Sequence, residues 1–418
     1  MDIQAPRGVR DILPDESWKW AYVLNSVAKV MADFGHSEIH LPIFENTELF
    51  SRGVGETTDI VEKEMYTFTD RGSRSLTLRP EATAGMVRAA LEHGMCSQNA
   101  AARLWCWGPM FRYERPQKGR YRQFFQIDAE VLGIAGPAAD VDTIALSVEM
   151  FRRLALRGLR VALNSVGCPQ CRPAYRDALL AYFGANRDAL CETCQARLER
   201  NPLRVLDCKS ASCSAVADAA PAIYDHLCPE CAAHFDEVKS GLARLGLPFS
   251  LDKRLVRGLD YYTKTAYEII SGDLSQGAQN AVCGGGRYDN LAESIGGPHT
   301  PGVGFAAGID RIVLVMEEQN CSFGKRAQTE VYIVARDDAS RPTAQVLAGK
   351  LRSAGISAAY DAGDSVKYAR SFKAQMKSAL SARWQCIIEA NGTFTLSGGG
   401  SDLTLTEGEL VNYIEEHR

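Results

Sequence analysis

Arginine and glycine recur together at three separated places in this chain, and the pairing has a chemistry of its own. Arg112 begins a run of five cations, with Arg115, Lys118, Arg120 and Arg122, inside "MFRYERPQKGRYRQFFQIDAEVLG" at 110–133; Arg257 stands in "RGLDYY" and Arg311 in "GFAAGIDR". A planar guanidinium suits bidentate recognition of phosphate or carboxylate, each charged hydrogen bond contributing about 1.5–3 kcal/mol. Glycines at 284–286, 302, 304 and 308 would let a backbone approach a ligand closely. Together they suggest a nucleotide site. Neither common nucleotide fingerprint fits, because "GGGRYDN" lacks the Lys-Ser/Thr of a phosphate-cradling loop, and "GVGFAAG" has the wrong glycine spacing and no preceding strand.

A second chemistry lies in the cysteines. Eight of the thirteen fall between 168 and 231, as Cys168 and Cys171 in "CPQC", Cys191 and Cys194 in "CETC", Cys208 and Cys213 in "CKSASC", and Cys228 and Cys231 in "CPEC". In a chain this long with no export signal, clustered thiols point to metal ahead of bridges. Two such knuckles give tetrahedral thiolate ligation of a structural Zn2+, so four pairs permit one site or two. The pairing stays open, and redox-active or incidental buried thiols remain the other reading.

These residues need elements to hold them. Residues 16–35 place Trp18, Tyr22, Val23, Val27, Val30, Met31 and Phe34 at helical spacing, with Gly35 as the stop. Short segments at 37–46, 63–71 and 74–82 read as antiparallel strands, and 82–93 returns to a helix. The cationic stretch alternates with period two on both sides of a turn. Phe125, Ile127, Ala129 and Val131 oppose Gln126, Asp128 and Glu130, while Phe111 and Tyr113 oppose Arg112 and Glu114. This predicts a strand, a basic loop tipped by Pro116 and Gly119, and a second strand, with Arg112, Glu114, Gln126 and Glu130 on one polar face. A solvated outer face reads equally well from the pattern. From 167 to 249 the texture changes to cysteine pairs and helical segments, an inserted domain. After 328, strands alternate with helices at 341–354 and about 368–381, predicting a small α/β domain with a mainly parallel sheet.

The 418 residues suffice for two or three domains, and 46% hydrophobic with 23% charged residues is ordinary globular composition. No stretch approaches 18 uninterrupted apolar residues and the start lacks a signal peptide, so no membrane is expected and the cytoplasm is. A net charge of −4 excludes bulk attraction to polyanions and leaves the local basic loop to meet them.

"FRYERPQKGRYRQFFQIDAE", "RGLDYYTKTAYEI", "CGGGRYDNL" and "PGVGFAAGIDRI", with "RGVRDILP", "EMYTFTDR" and "LRPEATAGMVRA", resemble in order the motifs of class II histidyl-tRNA synthetases. The resemblance covers essentially the whole chain. It implies an α+β fold: an antiparallel catalytic sheet flanked by helices over 1–166 and 250–322, an inserted helical Cys-rich domain at 167–249, and an α/β anticodon-binding domain at 328–418. It implies a homodimer meeting through the long helix and the strand around Pro42. The implied reaction joins L-histidine to ATP as histidyl-adenylate, then to the 3′ end of tRNA(His).

By motif match, Arg112 and Arg257 are the catalytic arginines. Glu81, Thr83, Gln126, Glu130, Tyr261, Tyr262 and Tyr288 join them around histidine. Arg112, Glu114, Arg120, Gly304, Gly308 and Arg311 accompany ATP, whose Mg2+ would bridge the β- and γ-phosphates with Glu114 and Glu130 nearby. Arg115 and Gln117 meet the tRNA acceptor end. Relatives that keep the insertion without the full cysteine set speak against any catalytic need for metal there. Two rivals stand beside this reading. One is a histidine-sensing, synthetase-like regulatory subunit of ATP phosphoribosyltransferase, which would shed the anticodon domain and catalytic arginines. The other, a zinc-dependent nucleic-acid module, leaves the Arg/Gly motifs idle.

Overall fold

A computed structural model describes residues 3–55, 58–96, 100–116, 119–199, 201–272, 281–363, 370–389, 392–398 and 402–417. The chain forms two compact units, Met1–Phe323 and Gly324–Arg418.

The first unit is organised by an eight-stranded sheet. Its order is Ser37–Glu38, Ala102–Phe111, Gln123–Leu132, Gly302–Gly308, Ala281–Arg287, Thr263–Ser271, Leu159–Gly167 and Phe249–Leu251. The six inner strands are antiparallel throughout, and the two short outer strands add in parallel at the edges. The expected hairpin is present, with Phe111 opposite Gln123 and Ala102 opposite Leu132. Its first strand ends at Phe111, earlier than the alternation through Glu114 suggests. Beyond that point the chain turns away, and the Tyr113 amide bonds to the Glu64 carbonyl. The segments around 44, 66 and 75 form a separate antiparallel sheet of three strands, Phe44–Asn46, Ser75–Leu78 and Tyr66–Thr69.

Helices cover one face of the large sheet. Pro14–Asp33 buries Trp20, Val23, Val27, Val30 and Met31 against a core shared with Ala138–Arg153 and Pro229–Arg244. The other face carries Met86, Val87, Met110, Tyr261, Tyr262 and Tyr288, and above them the cleft. Ionic groups also lie in the interior. Arg287 and Asp140 are fully buried and paired, and Arg287 donates further to the Ile134 and Gly136 carbonyls and to Asp289. Satisfying nearly every N–H is what makes a buried guanidinium tolerable.

The second unit has the strand order Ala358–Tyr360, Val331–Ala335, Trp384–Ile388, Phe394–Ser397, Leu403–Leu405. The first three are parallel, but the last two are antiparallel, so the sheet is mixed where a mainly parallel one was predicted. Only five positions separate each of these two strands from the one before it, too few for a helical crossover. Among the described residues no helix is long and apolar enough to cross a membrane.

Candidate active site

The strand Gln123–Leu132 is the middle of the hairpin's half of the sheet, and its period of two decides what faces the cleft. Ile127, Ala129 and Val131 enter the apolar interior, while Gln126, Asp128 and Glu130 line a cleft of about 870 Å³. Thr83 Oγ1 donates to Glu130 Oε1 at 2.7 Å, and the Tyr288 hydroxyl donates to Oε2. Burial pushes the Glu130 carboxyl well above the usual range. Room for that carboxyl comes from the neighbouring strand, where Gly304 pairs with Glu130. A Cβ at 304 would stand 1.5 Å from Glu130 Oε2.

Glu81 sits just before the helix Thr83–Glu92, whose first amides lack helical partners. Its two oxygens accept from the Thr83 amide at 2.8 Å and the Ala84 amide at 3.0 Å, which fixes Thr83 and so Glu130. Gln126 Oε1 and both carboxyl oxygens of Asp128 are buried and have no hydrogen-bond partner among the described residues. Solvent-shielded acceptors on both side chains, aimed at a cleft, fit a ligand that brings N–H donors.

The arginines surround this floor. Arg112 Nε donates to the Pro80 carbonyl at 2.8 Å and its guanidinium lies 5.3 Å from the Phe124 ring, which orients the fork. Arg257 bonds Glu268 at 2.7 Å and lies 5.2 Å from the Tyr262 ring. It rests on Gly284, where a Cβ would come within 2.5 Å of two guanidinium nitrogens. Arg311 leaves the first turn of the helix Ile309–Glu318 and donates to the Ala281 carbonyl at 2.6 Å. Burial, and then the Arg120 cation, push Arg311 downward, a mutual repulsion that an anion between them would relieve. Arg120 itself pairs with Glu114.

All the residues expected at histidine and ATP line this single cleft. Arg115 is exposed and is not among its lining, and Gln117 and Lys118 lie outside the described residues. Gly284, Gly302 and Gly304 make room for Arg257, Tyr288 and Glu130, whereas a Cβ at Gly308 would meet only Arg311, at 3.9 Å. "GVGFAAG" is itself a strand, running straight into the Ile309–Glu318 helix.

Sequence reasoning missed Asp128, Glu268, Glu64 and Asp310, which also line the cleft. Asp128 shares the alternation of Gln126 and Glu130, a signal that was available. Glu268 is found only through pairing, since it stands opposite Gly284 beneath Arg257. Of the two carboxylates expected near Mg2+, Glu130 accepts from Thr83 and Tyr288, and Glu114 pairs with Arg120.

The cysteines resolve into two sets, Cys168, Cys171, Cys228, Cys231 and Cys191, Cys194, Cys208, Cys213. Within each, the four sulfurs lie within 4.8 Å of one another. Sulfur separations of 3.6 and 3.9 Å at Cys168, and 3.9 Å between Cys191 and Cys208, approach the roughly 3.8 Å edge of a tetrahedron with 2.3 Å metal–sulfur bonds. The Cys228 amide donates to Cys171 Sγ and the Cys191 amide to Cys213 Sγ, both at 3.1 Å, as ligands are oriented around a bound ion.

An antiparallel sheet with buried acceptors on its floor and arginines around them is the arrangement of a class II aminoacyl-tRNA synthetase. A family model described as histidyl-tRNA synthetase matches residues 8–312. The histidine–tRNA ligase of Desulforudis audaxviator is 50% identical over 424 residues, covering 99% of each chain. That of Halothermothrix orenii is 46% identical over 421 residues, 100% of this chain and 99% of the relative. The crystal structure of apo S. aureus histidyl-tRNA synthetase superposes with a TM-score of 0.80 at 36% identity, covering 99% of this chain and 100% of that one. A Bacillus halodurans structure described as an ATP phosphoribosyltransferase regulatory subunit/histidyl-tRNA synthetase shares the fold, with a TM-score of 0.65 at 22% identity over 90% of this chain and 96% of that one. The chain belongs to the histidyl-tRNA synthetase family.

Proposed function

We propose that this chain activates L-histidine with ATP, releasing pyrophosphate, and transfers the histidyl group to the 3′ end of tRNA(His). One observation carries the reading: partnerless buried acceptors on Gln126 and Asp128 lie in the same cleft as Arg112, Arg257 and Arg311. Acceptors suit the ammonium and ring N–H of histidine, and guanidinium groups suit its carboxylate and the phosphates of ATP. The regulatory reading would not require all three arginines, and all three are present.

In the reaction the histidine carboxylate attacks the α-phosphorus and pyrophosphate departs in line. Arg112 and Arg257 hold the two reacting anions together and stabilise charge gathering on the α-phosphate oxygens, and Arg311 steadies the nucleotide. Glu81 acts through Thr83, keeping Glu130 and Tyr288 set to bound the amino acid. Glu114 would hold Mg2+ carried with ATP, which would neutralise phosphate charge.

The exposed, cationic Arg115 and the unpatterned loop beyond it are assigned to the tRNA acceptor end. The second unit is assigned to the anticodon stem-loop; exposed Lys373 and Lys377 flanking a groove with Leu380 support this. A homodimer is supported by Ile43, Phe44 and Phe68, each more than two-fifths exposed, at the segment next to Pro42. Each cysteine set is assigned one structural Zn2+, a site class with about 10–16 kcal/mol of apparent binding free energy. The chain works in the cytoplasm.

Charging of tRNA(His) with labelled histidine tests the reading. Transfer of label to the 3′ end is expected. Adenylate formation without transfer would remove the tRNA from the assignment.

A further inference from the structure

Between Phe249–Leu251 and Thr263–Ser271 the chain has no regular structure, yet this stretch carries Arg257, Tyr261 and Tyr262. Irregular backbone needs its hydrogen bonds from elsewhere. The sheet and a neighbouring helix supply some: Asn164 Nδ2 donates to the Leu255 carbonyl at 2.9 Å, and the Asp260 amide to the Val54 carbonyl at 3.1 Å. The cysteine insertion meets two further carbonyls, Arg204 donating to Gly258 and Arg172 to Tyr262, and side chains tie the stretch to it.

Arg254, three residues before Arg257, is the main tie. Its Nε donates to the Leu206 carbonyl at 3.1 Å, and its terminal nitrogens reach the Cys208 carbonyl at 3.4 Å, Ser214 Oγ at 2.7 Å and Asp218 at 2.9 Å. From the other side, Arg204 donates to the Gly258 carbonyl at 2.9 Å. Cys208 and Cys213 are members of the second cysteine set, and the remaining acceptors lie within a few residues of them. The helices that present them are Glu192–Arg197, Leu203–Leu206 and Ala211–Asp218, none longer than eight residues. Helices so short do not hold their shape unaided. Four thiolates on one ion would fix all three at once.

We propose that the metal held by Cys191, Cys194, Cys208 and Cys213 is a brace for the reaction, which through Arg254 and Arg204 sets the position of Arg257 over the cleft. Arg254 and Arg204, which with Cys208 also border the cleft, act as positioning residues, and the ion is given no part in the chemistry. This rests on the zinc and synthetase readings above and deepens both. It also goes beyond the expectation that catalysis has no need of metal in the insertion.

The test uses the full chain purified without added metal. Elemental analysis is expected to give two zinc ions per chain in the unaltered protein and one in Cys213→Ser. Hydrogen exchange of amides 252–262 is expected to quicken in Cys213→Ser and Arg254→Ala, while Gln123–Leu132 keeps its protection. In histidine-dependent pyrophosphate exchange both variants should lose kcat by roughly tenfold or more, with the histidine KM within about twofold of normal. Arg254→Ala in an Arg257→Ala background should cost almost nothing further, because the group it positions is gone. Zinc absent from the unaltered chain would overturn the metal. Normal protection of 252–262 in both variants, or additive losses in the double variant, would overturn the brace. An unaltered chain that shows the exchange protection but no pyrophosphate exchange would leave the brace standing and overturn the synthetase reading, so the failures are distinguishable.

Discussion

Gly304 and Glu130 face each other across neighbouring antiparallel strands, and the glutamate's carboxyl occupies the space a side chain at 304 would need. The absence of a Cβ on one strand therefore fixes the position of an acid on the next. Gly304→Ala should displace Glu130 from Thr83 and Tyr288 and lower kcat/KM for histidine by ~100-fold, about 2.7 kcal/mol at the transition state. Steady-state kinetics beside a melting curve checks this. A folded variant with normal histidine kinetics would contradict it.

Arg257 should matter for chemistry more than for binding. Its guanidinium is oriented by Glu268 and Tyr262 above Gly284, so a lost side chain leaves the amino acid pocket standing. Arg257→Ala is expected to slow adenylate formation by roughly 10²–10³-fold, with little change in histidine affinity by calorimetry. Equal losses in both would refute the separation of roles.

Asp128 gives the fold a pH dependence. Burial, and then the Glu81 charge, push its carboxyl from 3.8 up to about 8. Between about pH 4 and about pH 8 the unfolded chain has released a proton that the folded chain keeps, so this group's contribution to stability falls as pH rises through that window. Asp128→Asn removes the slope. Its melting temperature, relative to the unaltered chain, should rise from pH 5 to pH 8; a constant difference would show that Asp128 titrates normally.

Arg287 and Asp140 test the interior. Both side chains are fully buried, and removing Arg287 leaves the Asp140 carboxylate only the His234 ring, 3.3 Å away, among its described ionic partners. Arg287→Met should cost about 3–5 kcal/mol in urea unfolding, because a buried carboxylate loses its guanidinium and the His234 ring alone replaces it poorly. A loss within about 1 kcal/mol would mean that the site rehydrates.

Much of this was legible beforehand wherever a period made it so. Alternation in 123–132 placed Gln126 and Glu130 on one face, and helical spacing in 16–35 gave the Pro14–Asp33 helix to within two residues. Roles invisible to periodicity were those made by distant pairing. Gly304 and Glu130 lie 174 positions apart in numbering yet meet by register, and Glu268 joins Arg257 through a strand that the basic residues do not mark. The cysteine sets could not be paired from spacing, since the outer pairs, 168/171 and 228/231, join across the inner pairs, 191/194 and 208/213, which nest between them. The mixed sheet of the second unit was misread because short β-rich segments carry no mark of their direction.

Pyrophosphate exchange is the most direct measurement of the central claim, that this cleft joins histidine to ATP. With ATP and labelled pyrophosphate, label should enter ATP when L-histidine is added and not when other amino acids replace it, and Arg257→Ala should suppress it. Intact histidine binding with no exchange under any condition would contradict the claim and return the histidine-sensing regulatory subunit as the better account.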